Sequence, residues 1–195
     1  MKNIFSRGDF AVYRKTSLND AMEDIGTLHH EYASKKVTIF ISHKHDDLED
    51  LKGVIGFLER NYNVKVYIDS QDSSMPQITS GDTAERIKEK IEKCERFILL
   101  ATEGAIESKW CNWELGYGDA KKYKTKCIAL FPMKERGMSD SMYKGNEYME
   151  IYPYIVYRGG SDTYSSGKKI PDGYYVRYKT ENGYELISLK KWLSE

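Results

Sequence analysis

From Val37 onward, apolar residues fall into short β-branched or aromatic runs separated by stretches with helical spacing. Val37–Ile41 is a compact run suited to a strand buried on both faces. Ser42–Asp47 is polar, and beyond it Leu48, Leu51, Ile55 and Leu58 recur at helical intervals. Val64–Ile68 predicts a second strand, closed by Asp69. A polar stretch from Ser70 to Gly81 then leads into a helix with Ile87, Ile91 and Cys94 inward. Phe97–Ala101 predicts a third strand, Trp110–Lys121 a further helix, and Cys127–Phe131 a fourth strand ending at Pro132. This alternation predicts an α/β fold: a parallel sheet with helices on both faces. Ligands of such sheets bind beyond the carboxyl ends of the strands. Those ends are Ser42–Asp47, Asp69–Gly81, Thr102–Lys109 and the chain from Pro132 on.

The flanks carry a different pattern. Residues 1–35 read as an N-terminal helical extension. Ser17 with Asp20 marks a helix start, and Leu18, Met22, Ile25, His29 and Tyr32 share one helical face. Residues 36–158 form the main domain, in which a long connection, Met133–Glu150, precedes a fifth strand, Tyr152–Tyr157. Residues 159–195 read as a hairpin and closing turn packed on the same domain. Tyr174–Tyr178 and Tyr184–Ser188 pair through Glu181-Asn182-Gly183, and Leu189, Trp192 and Leu193 close the chain. This tyrosine-rich tail is expected to cover one sheet edge.

Composition narrows the function classes. Lys+Arg and Asp+Glu both number 30, so the formal net charge is zero and nothing general favours nucleic acid or an anionic membrane. The longest apolar run, near Phe97–Ala101, is too short to span a bilayer. The first residues lack the apolar stretch of a secretory signal. Three widely spaced cysteines (Cys94, Cys111, Cys127) suit buried thiols in a reducing cytoplasm better than disulfides or a zinc site. A cytoplasmic location is therefore expected.

Glycine-rich dinucleotide and P-loop motifs, a G-x-S-x-G elbow and zincin spacing are all missing from the sequence. His43-Lys44-His45-Asp46-Asp47 is a possible metal cluster, but Asp46 or Asp47 is well placed to cap the next helix. A structural or substrate-contacting role is favoured, and no metal is expected. Trp110-Cys111-Asn112-Trp113-Glu114 is more informative. Trp110 and Glu114 lie one turn apart on one helical face, with Trp113 and Tyr117 alongside. A carboxylate among rings near the mouth of a parallel sheet suggests chemistry. The competing reading puts Glu114 in solvent, paired with Lys109 or Lys121, while the tryptophans pack inward.

Ile39-Phe40-Ile41-Ser42-His43, Tyr67-Ile68-Asp69 and Ser108-Lys109-Trp110-Cys111-Asn112-Trp113-Glu114, in this order, resemble bacterial Toll/interleukin-1 receptor (TIR) domains over Lys36–Tyr157. The resemblance is to the NAD-consuming, anti-phage defence (Thoeris-like) kind. It implies a flavodoxin-like TIR fold with the hairpin as an added extension. It also implies Glu114 as the catalytic residue, NAD⁺ as a substrate rather than a cofactor, and cleavage of the nicotinamide–ribose bond to ADP-ribose or a cyclic isomer. Phe40, Ser42, His43, Asp69, Ser74 and Trp110 are the expected substrate contacts, with Ser70–Gly81 a loop bordering the site. Thr102 and Glu103–Glu107 depart from the family pattern, Thr102 standing where many relatives have serine. Expected partners are NAD⁺, further TIR copies and an effector sensing the product, but no nucleic acid or membrane. The alternatives are a non-catalytic TIR adaptor and a nucleoside deoxyribosyltransferase-like enzyme, in which the glutamate would be a covalent nucleophile.

Overall fold

The computed structural model describes residues 4–14, 36–68 and 81–194. The expected strands form as β2 (Val37–Ser42), β3 (Val64–Tyr67), β4 (Arg96–Ala101), β5 (Ile128–Lys134) and β6 (Tyr154–Arg158), preceded by a two-residue β1 (Phe5–Ser6). The tail supplies β7 (Gly173–Thr180) and β8 (Gly183–Ser188). Helices are α1 (Leu48–Tyr62), α2 (Gly81–Lys93), α3 (Glu103–Glu107), α4 (Lys109–Lys122), α5 (Asn146–Ile151) and α6 (Leu189–Trp192). The eight strands belong to one sheet in the order β3-β2-β4-β5-β6-β7-β8, with β1 beside β5. Pairing from β3 to β6 is parallel, and β7 and β8 add antiparallel strands. Among the described residues no helix is long and apolar enough to cross a membrane.

The central strands are apolar on both faces because both faces are covered. Ile39, Ile41, Ile98, Leu100, Ala129 and Phe131 pack with α1, the segment 4–14 and α6. The alternate positions Phe40, Phe97, Leu99, Ile128 and Leu130 pack with α2, α3 and α4. Ser42 follows Phe40 by two residues, so it faces the α4 side.

Three features were absent from the sequence pattern. Residues 4–14 are built into the fold: Ile4, Phe5 and Phe10 are buried, and Phe5 pairs with Met133. The helix expected from Ser17 lies outside the described residues. Secondly, β5 does not end at Pro132. Proline tolerates extended backbone, and β1 pairs with Met133 and Lys134 just beyond it. Thirdly, Glu103–Glu107 is a short helix, capped by Thr102 accepting from the Ala105 N–H at 3.0 Å.

Segment 4–14 fits because α1 has glycines under it. A Cβ on Gly56 would sit 1.9 Å from the Tyr13 carbonyl oxygen, and one on Gly53 2.7 Å from that of Phe10. Gly56→Ala should therefore destabilise by about 1–3 kcal/mol despite its better helix propensity. Gly116→Ala, whose Cβ meets nothing within 4 Å, should stabilise by up to about 1 kcal/mol. Urea unfolding of both variants tests this; a gain in both would refute the packing of residues 10–13 on α1.

The tyrosines carry a second consequence. Burial pushes the phenols of Tyr62, Tyr143 and Tyr178 well up, raises those of Tyr154 and Tyr174, and moves the Cys94 thiol up to about 11. The folded protein thus holds protons that the unfolded chain releases first. Stability is full below the unfolded pKa values, about 8.5 for Cys and about 10 for Tyr, and falls as pH rises through the raised folded values. Urea midpoints should drop steeply above pH of about 10; a flat profile there would contradict the burial of these hydroxyls.

Candidate active site

Among the described residues, the carboxyl edge of the sheet carries Ser42, His43 and Asp47, with Glu114 of α4 beside Ser42. Ser108 caps α4, accepting from the Cys111 N–H at 3.3 Å. Asn112 then anchors the first turn: its Nδ2 donates to the carbonyls of Ile106 (2.7 Å) and Ser108 (2.9 Å), while its Oδ1 accepts from the Tyr148 hydroxyl at 2.6 Å. This fixes where the helix starts. Gly118 sets how close it runs, since a Cβ there would fall 2.9 Å from the Phe97 ring. Between these two anchors, Glu114 is buried in the protein.

Glu114 is 1% exposed, and its Oε2 accepts a hydrogen bond from the hydroxyl of Ser42, the last residue of β2. The competing surface reading is thereby excluded: Lys121 pairs with Glu92 instead, at 2.7 Å. Phe40 is buried beside this pair in sequence, stacked on Phe97 with centroids 5.8 Å apart. His43 is also buried, whereas His45 is exposed, so the two imidazoles occupy different environments. No group of three or more metal-type ligands occurs among the described residues.

Trp110 is half-buried and stacks on Trp113 with centroids 4.9 Å apart, and Trp113 continues onto Tyr117 at 6.2 Å. Lys88 of α2 lies over Trp113 and Tyr117, 5.9 and 5.7 Å from the ring centres. The aromatic residues therefore form a continuous ladder along α4, which joins Trp110 to the Trp113–Tyr117 pair. Asp69, Ser74 and the loop before Gly81 lie outside the described residues.

A second buried carboxylate lies on the same edge, and sequence reasoning gave it another task. Asp47 stands at the start of α1 but makes no side-chain capping bond. Its Oδ2 accepts from the Thr102 hydroxyl at 2.5 Å, and its Oδ1 from Arg7 Nη2 at 2.8 Å. Arg7 also pairs with Asp50 at 3.1 Å, and Asp50 accepts from the Gly8 N–H at 2.7 Å. Because only an arginine some 40 residues away completes this cluster, local spacing gave no signal of it. The departure Thr102 was the one visible hint. Tyr143 closes the edge, donating to the carbonyl of Ala101 from a buried position.

With this geometry in place, the chain can be classed. Residues 39–163 match the family model for the TIR domain, so the chain belongs to the TIR domain family. It is 31% identical over 125 residues to a Bacillus cereus (strain MSX-D12) protein named "Probable 3' cyclic ADP-D-ribose synthase ThsB'", covering 63% of this chain and 62% of that protein. It is also 28% identical over 101 residues to the Cytobacillus dafuensis protein named "Putative cyclic ADP-D-ribose synthase TIR2", covering 50% of this chain and 26% of that one. The match thus spans less than two thirds of either relative.

Thr102 bonds both the α3 N-terminus and Asp47. Thr102→Val should cost about 1–3 kcal/mol, because it strips a donor from a buried carboxylate. Thr102→Ser, which keeps both bonds, should lose about 1 kcal/mol or less. Chemical denaturation of the two variants measures the difference; equal losses would mean that the hydroxyl contributes nothing.

Proposed function

We propose that this TIR chain cleaves NAD⁺ at the nicotinamide–ribose bond, with Glu114 as the catalytic carboxylate, and closes the product into a cyclic ADP-ribose isomer. The observation that carries this reading is the burial of Glu114 against Ser42 at the carboxyl end of a parallel strand. A carboxylate withdrawn from water beside aromatic rings is costly as mere structure and useful as an electrostatic device.

Nicotinamide leaves as a neutral molecule from an already cationic nitrogen. The C1′–N bond breaks with its electron pair going to the ring, so no general acid is needed. This is unlike ordinary glycosides, whose leaving oxygen requires a second carboxyl group. Glu114 then accepts hydrogen bonds from the ribose hydroxyls and stabilises the oxocarbenium-like transition state. Ser42 holds the carboxylate in place, Trp110 packs against the ribose or nicotinamide, and Phe40 and His43 line the floor. The family resemblance implies Asp69 and Ser74 as further substrate contacts. The cation is captured by water, giving ADP-ribose and a proton, or by a hydroxyl of the same molecule, giving a cyclic isomer and a proton. Exclusion of water favours the second route, and the names of both relatives support it. Self-association through TIR–TIR contacts and a nucleotide-sensing effector, in a cytoplasmic anti-phage response, complete the reading.

The test is incubation of the full chain with NAD⁺, following nicotinamide by chromatography and the ribosyl product by mass spectrometry. Wild type should release nicotinamide and form a product one water lighter than ADP-ribose. Glu114→Gln, nearly isosteric, should melt like wild type yet lose about 100-fold or more in turnover. Comparable turnover in the variant would overturn the role of Glu114. Linear ADP-ribose alone would replace cyclisation with hydrolysis, and no nicotinamide release from concentrated wild type, with or without phage lysate, would end the enzymatic reading.

A further inference from the structure

A cavity of about 560 Å³, not lined by Glu114, lies on the face of β6–β8 beneath the 159–172 connection. Two arginines line it. Arg158 ends β6, four residues on from Tyr154, and Arg177 of β7 is the direct cross-strand partner of Tyr154. An even spacing keeps side chains on one face, so both guanidinium groups project into the same space.

Their bonding is incomplete. Arg158 is 4% exposed, yet its Nε and Nη1 have no hydrogen-bond partner. The carboxylate nearest to it belongs to Asp162, 3.9 Å away and itself lacking a hydrogen bond at Oδ2. Arg177 donates from Nη1 to the Tyr154 hydroxyl at 2.7 Å and lies 3.3 Å over the centre of the Tyr184 ring, leaving its buried Nε idle. Two cations face one anion, so the cavity carries a positive excess. Burial, and next the charge of Arg177, lowers the pKa of Arg158. Idle buried donors of fixed geometry are destabilising unless something accepts from them.

The geometry points to this cavity as a binding site for a phosphoryl anion. Guanidinium forks match the oxygens of a phosphoryl group, which supplies enough acceptors for all three idle N–H positions. The hydroxyls of Ser161 and Thr163 are also in the lining. The volume lies within the range of small-molecule sites and exceeds what a bare phosphate needs. Tyr164 and Tyr184 supply rings against which an attached organic group would pack. The site is independent of the NAD⁺ chemistry assigned to Glu114.

Calorimetric and thermal-shift titrations of the full chain with AMP and with inorganic phosphate test the proposal, repeated on Arg158→Met and Arg177→Gln. Wild type should bind in the micromolar to millimolar range and melt higher with ligand. Arg158→Met should weaken binding about tenfold or more. Its ligand-free melting temperature should stay close to that of wild type, because removing a buried charge with idle donors offsets the loss of its pairing with Asp162. Arg177→Gln should weaken binding similarly and decides alone if Arg158→Met does not fold. NAD⁺ turnover should persist in both. Tighter binding of AMP than of phosphate supports a phosphorylated organic ligand, and equal binding supports free phosphate, both through the same anion site. Absence of binding at millimolar concentrations overturns the proposal, as does affinity unchanged by both substitutions.

Discussion

The distance at which α4 lies from the sheet governs the candidate active site. Glu114 reaches Ser42 because, one turn further on, Gly118 presents no side chain to the Phe97 ring. Any Cβ there forces helix and strand apart, and interiors packed like crystals do not absorb such a shift locally. Asn112 and Ser108 fix the other end of the approach by tying the first turn to the α3–α4 junction. The helix that carries the carboxylate is thus fixed at both ends of the approach, as an electrostatically preorganised group requires.

The buried carboxylates of Asp47 and Glu114 lie on the carboxyl edge of the sheet, and they are held in different ways. Asp47 meets a hydroxyl and a guanidinium, a pairing that ties β4, α1 and the N-terminal segment into one unit. Arg7 comes from the chain beside β1, so segment 4–14 secures the edge as well as covering the core. Glu114 is met by the Ser42 hydroxyl at a strand end beside a half-buried tryptophan ladder. The first arrangement uses its carboxylate for structure. The second leaves a carboxylate where chemistry on a ribosyl cation would use it.

The legible and illegible parts of the sequence divide by range. Val37–Ser42, Arg96–Ala101 and the other central strands were readable because a sheet covered on both faces needs continuous apolar runs. Trp110 and Glu114 were readable as one helical face, because a period of 3.6 is local information. The tail hairpin was readable from its alternation and from Asn182-Gly183. Of Asp46 and Asp47, the two candidates for the cap of α1, Asp47 holds the N-cap position, but its side chain is turned to Arg7 and Thr102, which are distant in sequence. Strand β1 carries two residues and no period at all. Gly118 gave no signal either, since a glycine in a helix looks like a flaw until the ring it accommodates is in view.

The antiparallel extension joins these themes. Strand β6 is parallel to β5, so Arg158 ends it on the same sheet edge where Ser42 ends β2. Had the next strand been parallel too, a crossover helix would have covered this end of the sheet. Strand β7 instead returns antiparallel, and the 159–172 connection folds back with Ile170 N–H bonded to the Asp162 carbonyl at 2.9 Å. That return leaves space between the connection and the sheet face, and places Arg158 and Arg177 on its wall. Both polar clusters therefore follow from strand direction: the Ser42–Glu114 pair lies where a parallel strand stops, and the arginine-lined cavity where the sheet changes from parallel to antiparallel pairing.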